Sequence, residues 1–232
     1  MVRTKITIGK WLYRYDLSQP LAVWSSGYKN PEYEFSSGNK NQFGGFFFFD
    51  SEQQAENTGR KALKRYKNRS FDGLWITKCQ TTSDSEFLDL RGYVTITAIL
   101  SDFYRNGIDV FNDEFHEFYF GEKKPFAGLK EPIGRFCKIM EDPFWYKDKD
   151  EKAHVDSIIR LVETFFIDNG HPGFFGQCIT DFSNGIAFKR ILEEHHYDGY
   201  IFNEANGMPG TNTLCFLSSD KLSRPEIRVV NP

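Results

Sequence analysis

The stretch Gly44-Gly45-Phe46-Phe47-Phe48-Phe49-Asp50, taken with Tyr197-Asp198-Gly199-Tyr200-Ile201-Phe202-Asn203-Glu204, decides the fold. Alternate residues of a strand point to opposite faces, so four successive phenylalanines cannot all hide on one side. Either both faces of that strand are covered, or one face lines a pocket that accepts flat rings. The second stretch reads as a helix end, a tight Asp-Gly turn and another apolar strand. A Gly/Pro/Asn loop follows it, then a further strand over Thr213-Leu214-Cys215-Phe216-Leu217. Together these segments predict a small β-rich core gripping a planar ligand.

Working outward, residues 25–42 are rich in Ser, Gly, Asn and Lys and read as a loop before the phenylalanine strand. Ser51-Glu52-Gln53-Gln54 offers an N-cap and a polar first turn, opening a helix that runs to about Tyr66. Upstream, Val2 to Ile8 alternates and leads into Trp11-Leu12-Tyr13-Arg14-Tyr15, which reads as a first strand with an arginine near its end. Downstream, Asp72-Gly73 turns into a strand from Phe71 to Thr81. Residues 101–150 mix aromatics, charges and prolines, and read as helices and loops. Val155, Ile158, Ile159, Val162, Phe165 and Phe166 recur at helical spacing, and Gly170 and Pro172 end that helix. A second helix, roughly 182–195, carries Ile186, Phe188, Ile191 and Leu192. Strands and a helix, then a mostly helical insert at about 100–185, then strands again, make an α+β class within one domain, 1–232.

With 232 residues, one sizeable core is the default. Aromatics make up 17% of the chain, with 24 Phe and 11 Tyr, so much of that core is built of rings. A net charge of −3 supplies no global field toward nucleic acid or anionic lipid. No apolar run approaches the roughly 20 residues of a membrane span, and the start has no apolar signal segment. A cytoplasmic monomer, or a protein delivered into a target cell without such a signal, is the expectation. Cys79, Cys137, Cys178 and Cys215 lack CxxC spacing and read as buried free thiols. His195-His196 reads as a capped helix end, because neighbouring positions on a helix sit about 100° apart and rarely share an ion. His116, His154 and His171 are scattered, so no metal is expected.

Leu12-Tyr13-Arg14 admits two readings: an arginine snorkelling at a strand end, or a guanidinium fork for a diphosphate or ribose. Gly45 to Asp50 is likewise either a plain buried strand, or a strand with Phe47 stacking on a ligand ring close to glycine backbone.

In its order of motifs the chain resembles the ADP-ribosyltransferase superfamily, including polymerase-type, diphtheria-toxin-like, phage and secreted bacterial members. Leu12-Tyr13-Arg14 is similar to the family's first-strand motif. Gly45-Phe46-Phe47-Phe48-Phe49-Asp50 is similar to its Gly-Ile-Tyr-Phe-Ala-Asp-like strand, with Phe47 in place of the nicotinamide-stacking tyrosine. Leu74-Trp75-Ile76-Thr77 and Phe87-Leu88-Asp89-Leu90 match a strand and Leu-Asp-Leu turn of phage-type members, and Tyr197 to Glu204 is the nearest match. The likeness spans residues 10–90 and 185–222, about half the chain.

The resemblance implies a split antiparallel β core and an NAD-dependent ADP-ribosyltransferase or NAD glycohydrolase, a bacterial or phage effector or toxin. NAD would be the co-substrate, and a protein or nucleic acid the acceptor of ADP-ribose. Arg14, Gly45, Phe47 and Tyr200 would bind the dinucleotide. The helical insert would recognise the acceptor. The family's catalytic glutamate opens the last strand, where this chain has Asn212. A neutral amide can orient a ribose but brings no charge to balance the cation forming on it. Glu204 would then supply the carboxylate, or the chain would be a weak or inactive module that binds NAD, ADP-ribose or a protein partner. A mapping that takes Phe35-Ser36-Ser37 as the middle motif fits less well, because a loop-like segment follows it.

Overall fold

A computed structural model describes residues 2–20, 22–24, 45–65, 71, 73–91, 185–203 and 211–230. The helix expected over 155–170, the rest of the insert, the loop at 25–42, Phe35 to Ser37, Cys137, Cys178, His116, His154, His171 and Glu204 lie outside them.

The alternating start is two strands, β1 (Arg3–Ile6) and β2 (Trp11–Asp16), rather than one. Gly9 breaks the run at φ +80°, a left-handed backbone that side chains disfavour, and Ile8 is left exposed. The phenylalanine run is β3 (Phe46–Phe49), and α1 (Glu52–Arg65) follows it, its first turn opened by a bond from the Ala55 N–H to the Ser51 carbonyl. Gly73, at φ +143°, turns the chain into β4 (Leu74–Gln80), and β5 (Ser85–Asp89) comes next. After the insert come α2 (Gly185–Glu194), β6 (Gly199–Asn203), β7 (Asn212–Phe216) and β8 (Glu226–Val230). The sequence reading contains no strand at β8. Its residues are mostly exposed and carry Glu226 and Arg228, so no apolar run marks them.

The eight described strands form one sheet in the order β1-β5-β6-β7-β3-β2-β4-β8. Strands from the first hundred residues pair with strands from the last forty at three joints: β7 with β3, β6 with β5 and β8 with β4. Every pair is antiparallel except β5 with β6, whose parallel crossover contains the insert and α2. One joint is thin. β2 and β3 pair at a single position, Tyr13 opposite Phe49, whereas β2 and β4 pair along their full length.

Pleating assigns the side chains to two faces. On one, Phe46 and Phe48 pack with Ile6, Leu12, Cys79, Phe87, Ile201, Leu214, Phe216 and Leu222, and Trp24 meets both phenylalanines edge-on. On the other, Phe49 packs with Leu17, Leu74, Ile76, Val230 and Ala55 of α1, flanked by Tyr13 and Tyr15. Phe188 of α2 sits edge-on against Tyr200 on that same second face, so both described helices cover one side. The four phenylalanines are thus resolved: both faces of β3 are covered. Burying each such ring fully contributes about 1.5–3 kcal/mol.

The Asp-Gly reading at 198–199 is corrected in detail. Gly199 is a strand residue, and a Cβ there would run into the Cys215 carbonyl oxygen and come within 2.7 Å of the Phe87 ring. Glycine is present for close approach, while Asp198 clamps β5 by accepting from the Glu86 N–H at 2.8 Å and from Lys221 at 2.7 Å.

Candidate functional site

The sequence-predicted residues divide between the two faces. Arg14 follows Leu12 on the face of Phe46 and Phe48, whereas Phe47 alternates with them and points to the other side. Register places Phe47 beside Cys215 and Cys215 beside Tyr200, so Phe47 and Tyr200 share the helix-covered face. Phe47 is half-buried; Tyr200 is fully buried against Phe188 and Phe202. Arg14 and Phe47 therefore do not line one cleft. The alternation of β3 forbids it as long as Phe48 packs on Leu12. Gly45 is buried just ahead of β3.

Arg14 is 6% exposed and donates from Nε and Nη2 to Asp16 at 3.2 and 2.6 Å. Asp16 is fully buried and also accepts from Thr77 at 3.2 Å. Two residues apart on one strand, the pair shares a face by the pleat itself. Among the two readings of this arginine, the geometry places it in an internal ion pair. Burial also pushes the Cys79 thiol up to about 12, against the pull of Arg14. Burial raises the Cys215 thiol further, against a hydrogen bond from Tyr200, so the thiolate is disfavoured at both described cysteines.

A second polar cluster forms where β3, β5, β6 and β7 end or begin, on the same face as Arg14. Asn212 opens β7 and donates from Nδ2 to Asp50 at 3.0 Å, and its Oδ1 accepts from Arg91 Nη1 at 3.3 Å. Arg91 grips Asp89 through Nε at 2.8 Å and Nη2 at 2.5 Å, and its backbone N–H donates to the same carboxylate at 3.0 Å. Thr4 Oγ1 adds a bond to Asp89 at 2.7 Å. Burial works against the Asp89 charge, but the bonds from Arg91 and Thr4 outweigh it and hold the carboxyl below its ordinary value. The hydrogen bonds to Asp89, with the nearby charges of Asp89 and Asp50, hold the Arg91 guanidinium above its ordinary value against its own partial burial. Asn203, the last residue of β6, lies opposite Asn212. Glu204 follows it in the chain.

Sequence reasoning named Asn212 but missed Arg91 and gave Asp50 and Asp89 only as parts of motifs. The signal was Asp89-Leu90-Arg91: opposite charges two residues apart at a strand end, the same spacing as Arg14 and Asp16. His195 and His196 close α2 as expected. His196 takes φ 57°, Tyr197 N–H bonds the Leu192 carbonyl and His196 N–H bonds that of Glu193, which is a left-handed helix cap. Among the described residues no group of three or more His, Cys, Asp and Glu side chains is placed to hold a metal ion, and no helix is long and apolar enough to cross a membrane.

No family model matches the chain, and neither a curated protein nor a solved structure is significantly similar to it.

Proposed function

We propose that the chain is an NAD-consuming domain of the ADP-ribosyltransferase type, acting at the Asp50–Asn212–Arg91 cluster. One observation carries the proposal: three motifs of the resemblance converge there. Asp50 ends the phenylalanine motif, Asp89 and Arg91 belong to and follow the Leu-Asp-Leu motif, and Asn212 holds the position of the family's glutamate. The thin β2–β3 joint is consistent with the split sheet of that fold.

In the proposed reaction the bond between ribose C1′ and the nicotinamide nitrogen breaks, and its electron pair leaves with nicotinamide. The positive charge passes to C1′ and the ribose ring oxygen. A protein or nucleic-acid nucleophile, or water, then bonds C1′ and sheds its proton to solvent. Arg14 braces β2 from inside the sheet, and Phe47 lies on the far face, so the ligand would meet Arg91, Asn203 and Asn212 at the rim. Incubation with NAD and chromatographic measurement of free nicotinamide tests this: release that scales with protein supports it, and none over hours at millimolar NAD contradicts it.

A second reading is favoured by Asn212 itself, a neutral amide engaged at both ends. Here the fold is kept as a module that binds NAD, ADP-ribose or a protein partner without turnover. Calorimetric binding of NAD with no nicotinamide release would select it.

A further inference from the structure

We infer that Asp50 is the carboxylate of this site, with Asn212 its positioning partner, the two together standing where the resemblance expects one glutamate. The inference rests on the NAD reading above.

The donor and acceptor inventory fixes the Asn212 amide. An ionised carboxylate only accepts and a guanidinium only donates, so Nδ2 faces Asp50 at 3.0 Å and Oδ1 faces Arg91 at 3.3 Å; the flipped amide would lose both bonds. Asp89 has both oxygens occupied by Arg91 and Thr4, and its ion pair answers the Arg91 charge. Asp50 lies within the field of the same Arg91 but makes no direct ion pair among the described residues: Oδ2 takes the Asn212 bond, and Oδ1 takes no hydrogen bond there. Nor does Asp50 cap α1, since no N–H of that helix's first turn donates to it among the described residues. A half-buried carboxylate held by an amide is preorganised for a positive charge that develops beside it, where such charge interacts more strongly than in water.

The same geometry explains the amide at 212. A glutamate there would bring a second carboxylate against Asp50, and two such groups about 3 Å apart do not both ionise near neutral pH. Asparagine at 212 thus goes with aspartate at 50. Asp50 takes no part in proton transfer: the glycosidic electron pair leaves with nicotinamide, and the acceptor's proton goes to solvent, so no further reactant is needed.

The experiment compares wild type, Asp50→Asn, Asn212→Glu and the double variant Asp50→Asn/Asn212→Glu by nicotinamide release and by the NAD-induced shift in Tm. Asp50→Asn is expected to lose release by about 10²–10³-fold while still binding NAD. Asn212→Glu alone is expected to lose it as well, and the double variant, with a single carboxylate again, to recover most of the wild-type rate. Wild-type release in Asp50→Asn, or faster release in Asn212→Glu alone, overturns the assignment. So does loss of release in Glu204→Gln with retention in Asp50→Asn. Should Asp50→Asn show no cooperative melt, a folded double variant decides: restored release supports the pairing, absent release overturns it. NAD binding by wild type without release overturns the role of Asp50 and leaves the binding reading standing, whereas no NAD-induced shift at all removes the NAD reading itself.

Discussion

The described residues include two arginine–aspartate pairs of the same spacing, each with a threonine on its carboxylate, and they differ in burial. Arg14–Asp16 lies inside, with side chains 7% and 1% exposed; Asp89–Arg91 lies at the rim, with 13% and 32%. The inner pair joins two residues of β2 and draws in Thr77 of β4. The outer pair reaches across strands to Asn212 and through it to Asp50. Identical chemistry serves as bracing in one place and as a presented surface in the other, and only the covering of the sheet distinguishes them.

The largest expected effect breaks the inner pair. Asp16→Ala leaves the Arg14 charge buried without its carboxylate and should cost about 3–5 kcal/mol in denaturant unfolding. Replacing both, Arg14→Met with Asp16→Leu, should recover most of that loss, because apolar packing substitutes well for a buried pair. A loss below 1 kcal/mol from Asp16→Ala would mean that the inner pair is no more committed than the outer one.

Next is the outer pair. Asp89→Asn should cost roughly 1.5–3 kcal/mol, the range for hydrogen bonds to a charged group. Its sign with pH follows from the lowered carboxyl: the stabilisation is fully present above the ordinary aspartate value near 3.9 and is lost as pH falls through the lower folded value. Urea titrations of wild type and Asp89→Asn should therefore differ by a constant amount from pH 7 to about 5 and converge below pH 4. A difference that persists undiminished in acid would remove the ion pair as its source.

The smallest effect is expected where the charges lie at the surface. Arg228 bridges Glu52 and Glu56 at 2.8 and 3.0 Å on the surface between β8 and α1. Arg228→Ala should cost about 0.2–1 kcal/mol and less in high salt. A larger, salt-insensitive loss would place this network with the inner pair.

This gradation also marks what the sequence could tell. The order of elements was legible because β3, β6 and β7 are apolar runs bounded by turn residues, and α1 and α2 carry start and stop signals. β8 was not legible, since an edge strand needs few apolar residues. The break at Gly9 was hidden by alternation that continues on both sides of it. For the site, Asn212 and the ends of the motifs could be named, but face could not. Four phenylalanines in a row have no intrinsic inside, so whether Phe47 or Phe48 looked toward Arg14 depended on β3 meeting β2 at Tyr13 and Phe49. Nor did composition distinguish Arg14 from Arg91, because burial is a property of the assembled sheet.

Titration of ¹⁵N-labelled protein with NAD, followed by amide chemical shifts, tests the central claim most directly. A site at the polar rim predicts saturable shifts gathered at Asp50, Arg91, Asn203 and Thr211 to Thr213, with Phe47, Tyr200 and α2 little changed. Shifts confined to Phe47, Tyr200 and α2, or no shifts at millimolar NAD, would contradict it.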